Sequence, residues 1–273
     1  MAKEIVLVIV LVAALAAGIV FFPIRGMLGT AASKDEVIVL CGGSMRAPLE
    51  EIIDRYAEVS DHAILANYGG SGELCAQIQK TGMGDIYICH DPFMAWAADR
   101  GLIDSWAGVG YLDVVIIVPK GNPKKIGGLK DLAQPDLRLG VGNRIYSTSG
   151  VIANNILKKL DCRDDIIENI RMETKGHQQR CTDVAMGTLD ASIVWGPVAE
   201  LFTEKLDIIP IPVEYVDAVT SPTYGKSDLR NVKVTIGITS RSKDKPAARE
   251  FYEFATSECE DVFRRRGFRT SKR

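Results

Sequence analysis

The chain of 273 residues contains only three histidines and no CxxC pair of cysteines. The histidines are too dispersed for a metal cluster or a catalytic triad, and the missing CxxC pair disfavours a structural zinc site. No Walker sequence and no G-x-G-x-x-G sequence is present, which disfavours nucleotide binding. No repeat or low-complexity tract interrupts a composition of 47% hydrophobic and 25% charged residues, which is typical of a folded protein.

The chain also lacks a large net charge of either sign. The 33 Lys and Arg residues nearly balance the 35 Asp and Glu residues, so the formal net charge is −2. A protein with this balance has no basic field that would recruit a polyanion. Nucleic acid is therefore not an expected partner.

A long uncharged run stands near the N-terminus. Ile5 to Phe22 is an apolar run of 18 residues, which is the lower limit for a helix that spans ~30 Å of hydrocarbon. Lys3 and the small residues Thr30 to Ser33 are compatible with a cleaved secretory signal, whereas the length of the run is compatible with an uncleaved anchor. Residues 1–33 are therefore expected to be a signal peptide or an N-terminal membrane anchor. The rest of the chain is expected to be periplasmic or otherwise extracytoplasmic.

The cysteines leave two alternatives open. An exported protein uses cysteines in disulfides, but six cysteines allow fifteen pairings, and their spacing does not select one. Scattered buried thiols are the other alternative. The six are Cys41, Cys75, Cys89, Cys162, Cys181 and Cys259. No cysteine directly follows the apolar run, so a lipid-modified cysteine is not the expected anchor.

After residue 33 the pattern alternates between strands and helices with short connections, as parallel α/β architecture requires. Val37 to Cys41 is a continuous apolar strand, and the apolar periodicity after it predicts a helix over Ala47 to Val59. Tyr111 to Pro119 reads as one strand that crosses into a second lobe, and Asn231 to Ser240 reads as the return strand. Such a crossing leaves a cleft between two lobes, where folds of this kind bind ligands.

The expected boundaries follow from these crossings. Lobe 1 comprises residues 35–113 and 231–273, and lobe 2 comprises residues 114–230. Hinge closure is expected about the crossing strands, near Val114 to Ile117 and near Val232 to Ile236.

Three strand ends run into Gly/Ser turns at which helices begin. These turns are Cys41 to Ser44, Tyr68 to Gly72 and Ser147 to Gly150, and a fourth helix start at Gly176 to Gln178 could complete the ring. A helix N-terminus presents unpaired N–H groups and about half a positive charge. One such turn alone is an ordinary helix cap. Several such turns, with their N–H groups converging on one point, predict an anion site that needs no Arg or Lys.

Five ordered stretches resemble the molybdate-type periplasmic substrate-binding proteins of ABC importers. They begin with VIVLCGGS, YLDVVIIVP, LGVGNRIYSTSG, DASIVWGPVA and FYEFATSECE, and the resemblance covers nearly everything from Val37 to Phe268. It implies an α/β, two-lobed type II periplasmic-binding-protein fold. In that fold, mixed sheets are flanked by helices and a ligand cleft lies at a two-strand hinge.

The resemblance also implies a ligand-binding set. The two serine hydroxyls of the first lobe fall on Ser44 and Ser71, and main-chain donors of the second lobe fall on Ser149 and His177. The aromatic position falls on Trp195, where the family commonly has Tyr. Trp195 is expected either to contact the ligand through its single N–H donor or to pack in the hinge. His177 is expected to be the only histidine near the cleft.

The function implied is that of an extracytoplasmic solute-binding protein, a monomer that captures molybdate or tungstate for ABC permease membrane subunits. Such a protein is expected to have no catalytic residues, no cofactor, and no metal except the one inside the oxyanion. Alternative interpretations are a membrane-tethered ligand sensor on the same fold or a binder of phosphate, sulfate or another small anion. A thiol-bound soft metal and an enzyme on the same scaffold also remain open, although no nucleophile–base pair is visible in the predicted cleft.

Overall fold

The computed structural model describes residues 36–144, 147–216, 218–221 and 225–272. Residues 1–33, for which a signal peptide or anchor is expected, lie outside these ranges, as does Tyr146, which directly precedes the third Gly/Ser turn. Within the described ranges, no helix is both long enough and apolar enough to cross a bilayer.

The described residues form strands and α-helices that alternate along most of the chain. The strands are β1 (Glu36–Gly42), β2 (Ala63–Gly69), β3 (Ile86–His90), β4 (Ile103–Leu112), β5 (Val114–Pro119), β6 (Leu139–Gly142), β7 (Ile170–Thr174), β8 (Ala191–Trp195), β9 (Leu206–Pro210), β10 (Ala218–Ser221), β11 (Gly225–Asp228) and β12 (Val232–Thr239). The α-helices are α1 (Arg46–Tyr56), α2 (Ser71–Thr81), α3 (Phe93–Ala98), α4 (Thr148–Leu157), α5 (Arg163–Glu168), α6 (His177–Ala185), α7 (Gly196–Ala199) and α8 (Pro246–Arg265).

The first sheet has the strand order β2-β1-β3-β12-β4. Strand β1 pairs in parallel with β2 and β3, whereas β12 is antiparallel to β3 and β4. All five residues of β3 are buried, which explains why its first four residues are apolar and do not alternate with polar ones. Strand β12, from the C-terminal part of the chain, therefore lies inside a sheet that is otherwise N-terminal.

The second sheet has the order β7-β6-β8-β5-β9 and is built from residues 114–210. Strand β6 is parallel to β7 and β8, and β5 is antiparallel to β8 and β9. Strand β9 contains Pro210 and lies at the edge, where proline is tolerated because no further ladder bond is needed. Strands β10 and β11 form a separate two-stranded pair. The chain thus has the two mixed, helix-flanked sheets that the sequence predicts.

One predicted element is wrong. Tyr111 to Pro119 is not a single crossing strand: β4 ends in the first sheet at Leu112, and β5 begins in the second at Val114. Asp113 between them is fixed by polar contacts, since its carboxylate accepts hydrogen bonds from Arg269 Nε at 2.6 Å and Nη2 at 3.0 Å. The expected hinge strands, β5 and β12, each belong to one sheet only.

All six cysteines are free, and five of them are buried. Burial raises the pKa of Cys75 to about 11 and that of Cys181 to about 12, so these thiols stay protonated at neutral pH. The residues described include no group of three or more His, Cys, Asp or Glu side chains that could hold a metal ion. Of the two alternatives for the cysteines, the structure therefore shows buried thiols.

Candidate functional site

The first side of the site lies where β1 and β2 end. The register of these parallel strands pairs Gly42 with Gly69, and Ser44 and Ser71 each follow two residues later. A Cβ on Gly42 would lie 2.6 Å from Ser71 Oγ, so a larger residue would push the two turns apart. The missing side chain at Gly42 therefore places the turn that contains Ser44 against Ser71.

Ser71 is a buried residue whose hydroxyl is not committed to another described group. Ser71 is the first residue of α2 and is 5% exposed, yet its Oγ makes no hydrogen bond with any described residue. Its main-chain carbonyl accepts a hydrogen bond from the Tyr87 hydroxyl at 2.6 Å, which holds the helix start in place. Ser44 Oγ lies 3.1 Å from Met45 Sδ, a weak acceptor. Both hydroxyls predicted to bind the ligand are thus available as donors.

The second side lies where β6 ends and α4 begins. Helix and strand are in direct contact there, because a Cβ on Gly150 would lie 2.2 Å from the main-chain oxygen of Asn143. Ser149, in the first turn of α4, is 1% exposed. Its Oγ lies 3.0 Å from Ser147 Oγ and 3.3 Å from His177 Nε2. Ser149 and His177, predicted separately, are therefore neighbours.

His177 is the first residue of α6 and contacts Trp195 at the end of β8. The two rings are stacked with centroids 5.8 Å apart at an interplanar angle of 24°. The main-chain N–H of Trp195 donates to His177 Nδ1 at 3.2 Å. Burial, together with the positive charge of Arg180, lowers the pKa of His177 well below its ordinary value. The imidazole is therefore neutral at physiological pH.

Two contacts join the two sides. Glu73 in the first turn of α2 forms an ion pair with Lys175, just before α6, at 2.6 Å. The ring of His90, at the end of β3, lies 5.7 Å from that of Trp195. The expectation that only His177 is near the cleft is wrong, because His90 is there as well. These contacts show that the helix starts of the two sheets face one another.

The first side offers neutral donors rather than cations. Arg46, two residues after Ser44, turns away to Glu50 at 2.7 Å, and its side chain is 52% exposed. Glu73 is 63% exposed and is paired with Lys175. A cation does lie behind the second side: Arg180 is fully buried beneath His177. Sequence reasoning missed this residue, although its spacing of three from His177 puts both on one helix face.

A cleft between two α/β sheets, lined by helix N-termini and hydroxyls, defines the class of two-lobed extracytoplasmic binding proteins. Residues 37–269 match the family described as bacterial extracellular solute-binding proteins. The chain belongs to this family.

Individual relatives extend the comparison. YvgL of Bacillus subtilis, which carries the name of an ABC transporter substrate-binding lipoprotein, is 27% identical over 241 residues, 86% of each chain. The periplasmic molybdate-binding protein of Azotobacter vinelandii superposes with a TM-score of 0.69 at 16% identity, over 86% of this chain and all of that one. The sulfate-binding protein SubI of Mycobacterium tuberculosis gives 0.68 at 15% identity, over 85% and 86%. The two structures establish the two-lobed fold.

Proposed function

We propose that this protein captures a tetrahedral oxyanion, molybdate or tungstate, outside the cytoplasm and delivers it to the membrane subunits of an ABC importer. The observation that carries this proposal is the Ser71 hydroxyl, which lies at the start of α2, on the side of the cleft that faces Lys175 and Trp195, and has no hydrogen-bond partner among the described residues. A hydroxyl in this position is free to donate its proton to a ligand oxygen. The molybdate-binding and ABC-transporter relatives support the same function.

The proposed ligand contacts use donors only. The hydroxyls of Ser44 and Ser71 approach the anion from the first side, and the main-chain N–H groups of Ser149 and His177 approach it from the second. Trp195 Nε1 has no hydrogen-bond partner among the described residues, so we assign it to the ligand as a further donor. Because the donors are fixed by helix starts, an anion of the wrong size leaves some of them unpaired, which provides selectivity.

No reaction is involved in the proposed function. We assign residues 35–113 with 231–273 to one closing lobe and residues 114–230 to the other, since the two sheets divide along these boundaries. Closure of the lobes excludes water from the ligand and brings Glu73 to Lys175. Residues 1–33 then act as the signal peptide or anchor of a protein that works as a monomer.

The test is thermal unfolding with molybdate, tungstate, sulfate, phosphate and a neutral sugar. A ligand at ~100 times its dissociation constant stabilises the folded state by about 2.7 kcal/mol. We expect molybdate and tungstate to give this shift and the sugar to give none. A shift with sulfate or phosphate alone would reassign the ligand, and no shift with any oxyanion would refute the function.

The site assignment is tested by replacing both ligand hydroxyls, Ser44→Ala with Ser71→Ala. We expect the molybdate shift to disappear while the free protein still unfolds cooperatively. Ser257→Ala is the matched control, because Ser257 is exposed on α8 and its hydroxyl only donates to the carbonyl of Phe254. Tight binding by the double variant would refute the assignment.

A further inference from the structure

Arg180 is a buried cation without a countercharge. Its side chain is 0% exposed, and no described carboxylate lies within ion-pair distance of it. Nη1 donates to the carbonyl of Thr174 at 2.8 Å, Nη2 donates to His177 Nδ1 at 3.2 Å, and Nε has no partner among the described residues. Burial lowers the pKa of Arg180 only to about 10. The guanidinium therefore stays charged at neutral pH beneath the second side of the cleft.

A charge buried in this way is expensive unless an opposite charge compensates it. The nearest acid along α6, Asp183, instead accepts hydrogen bonds from Gln179 at 3.0 and 3.2 Å. On its other side, His177 contacts the Ser149 hydroxyl at the start of α4. The negative charge that would compensate Arg180 is therefore best supplied by a ligand in the cleft.

The contacts of His177 define its tautomer. Two donors, Arg180 Nη2 and the main-chain N–H of Trp195, both lie 3.2 Å from Nδ1. Nδ1 must then be the acceptor, and the single proton of the neutral ring is on Nε2. Nε2 donates to Ser149 Oγ at 3.3 Å. Because Ser149 Oγ accepts this bond, its own proton points away from His177.

Building on the proposed function, we propose that Arg180 is a positioning residue. It fixes His177 as a neutral donor through Nε2–H. The positive charge of Arg180 polarises His177 and, through it, the Ser149 hydroxyl that approaches the ligand. The ligand oxygen at this point accepts a hydrogen bond, and a deprotonated oxygen is the stronger acceptor. The site thus favours an oxyanion without a proton on that oxygen.

The first experiment compares Arg180→Met with Arg180→Lys by calorimetric titration of micromolar molybdate. Loss of a charge-assisted hydrogen bond in Arg180→Met is expected to weaken binding about 10-fold, and Arg180→Lys is expected to recover part of the loss. Arg249→Met is the matched control, because Arg249 is exposed on α8 and bonds only the carbonyl of Lys243. Unchanged binding by Arg180→Met would overturn the proposal.

The pH profile separates positioning from a merely structural role. The charged and titratable groups that face His177 are Arg180 on its own helix and His90 from the first sheet. In the wild type, burial and the positive charge of Arg180 together keep His177 neutral, so molybdate affinity should be flat between pH 8 and about pH 6. In Arg180→Met, only burial and His90 still lower the pKa of His177, so the imidazole should gain a proton at a higher pH than in the wild type, and the new charge should tighten binding as the pH falls. A parallel profile in both proteins would overturn the proposal.

The tautomer can be measured without any variant or ligand. Nitrogen-15 NMR of histidine-labelled wild-type protein should show His177 neutral at pH 6.5, with its proton on Nε2. A proton on Nδ1 would overturn the proposal even if Arg180→Met does not fold. Failure of the wild type to bind any oxyanion would instead refute the proposed function and leave this tautomer assignment standing.

Discussion

The ion pair between Glu73 and Lys175 should contribute to ligand affinity by stabilising the closed cleft. Glu73 belongs to the first sheet's helix start and Lys175 to the second's, so their 2.6 Å contact is lost when the cleft opens. Their side chains are 63% and 58% exposed, and pairs this exposed are worth about 0.5 kcal/mol. The expected contribution is therefore about twofold in the dissociation constant.

A double-mutant cycle isolates this contribution from the effect of each charge on the anion. Lys175→Glu should weaken molybdate binding, and Glu73→Lys should strengthen it relative to that variant. The variant with both charges reversed restores an ion pair, so its affinity should exceed the sum of the two single effects by the coupling energy. The coupling should fade at 1 M salt, where the Debye length is about 3 Å. Lys120 with Asp207 is the control, an exposed pair at 3.1 Å within the second sheet. Equal coupling in both pairs, or none for Glu73 and Lys175, would refute the reasoning.

Three further predictions concern stability and reactivity. Gly150→Ala should cost about 1–3 kcal/mol in urea unfolding, because the added methyl meets backbone, whereas Gly128→Ala, facing open space, should cost much less. The pKa of Asp190 is lowered chiefly by hydrogen bonds from Arg138, so Asp190→Asn should destabilise the protein at pH 7, and the difference should shrink as the pH falls below about 4. A thiol reagent should modify Cys162 before the five buried cysteines.

Much of the architecture could be predicted from local patterns. Apolar runs such as Val37 to Cys41 identify parallel strands, because strands buried on both faces cannot alternate. The glycine and serine turns identify helix starts, and three of the predicted site residues, Ser149, His177 and Trp195, do lie together. The strands and helix starts succeed because each depends on residues that are close in sequence, whereas the grouping of Ser149, His177 and Trp195 is implied by the family resemblance.

Other features depend on partners that are far away in sequence. The division of Tyr111 to Pro119 at Asp113 is fixed by Arg269, 156 residues later, and no local periodicity shows which sheet each half joins. The local sequence around Arg180 is that of an exposed helical cation. Its burial depends on the packing of α6 against β6, β7 and β8. His90 reads as a strand end, and its contact with Trp195 exists only once the two sheets face each other.

The position of β12 between β3 and β4 also determines the order in which the molecule can be assembled. The second sheet is contiguous in sequence, so it can form while the C-terminal region is still being synthesised. The first sheet lacks the strand between β3 and β4 until β12, more than 100 residues after β4, has been synthesised. Because this pairing has a high contact order, it should be slow. A nascent chain therefore keeps an incomplete first sheet until β12 has been synthesised.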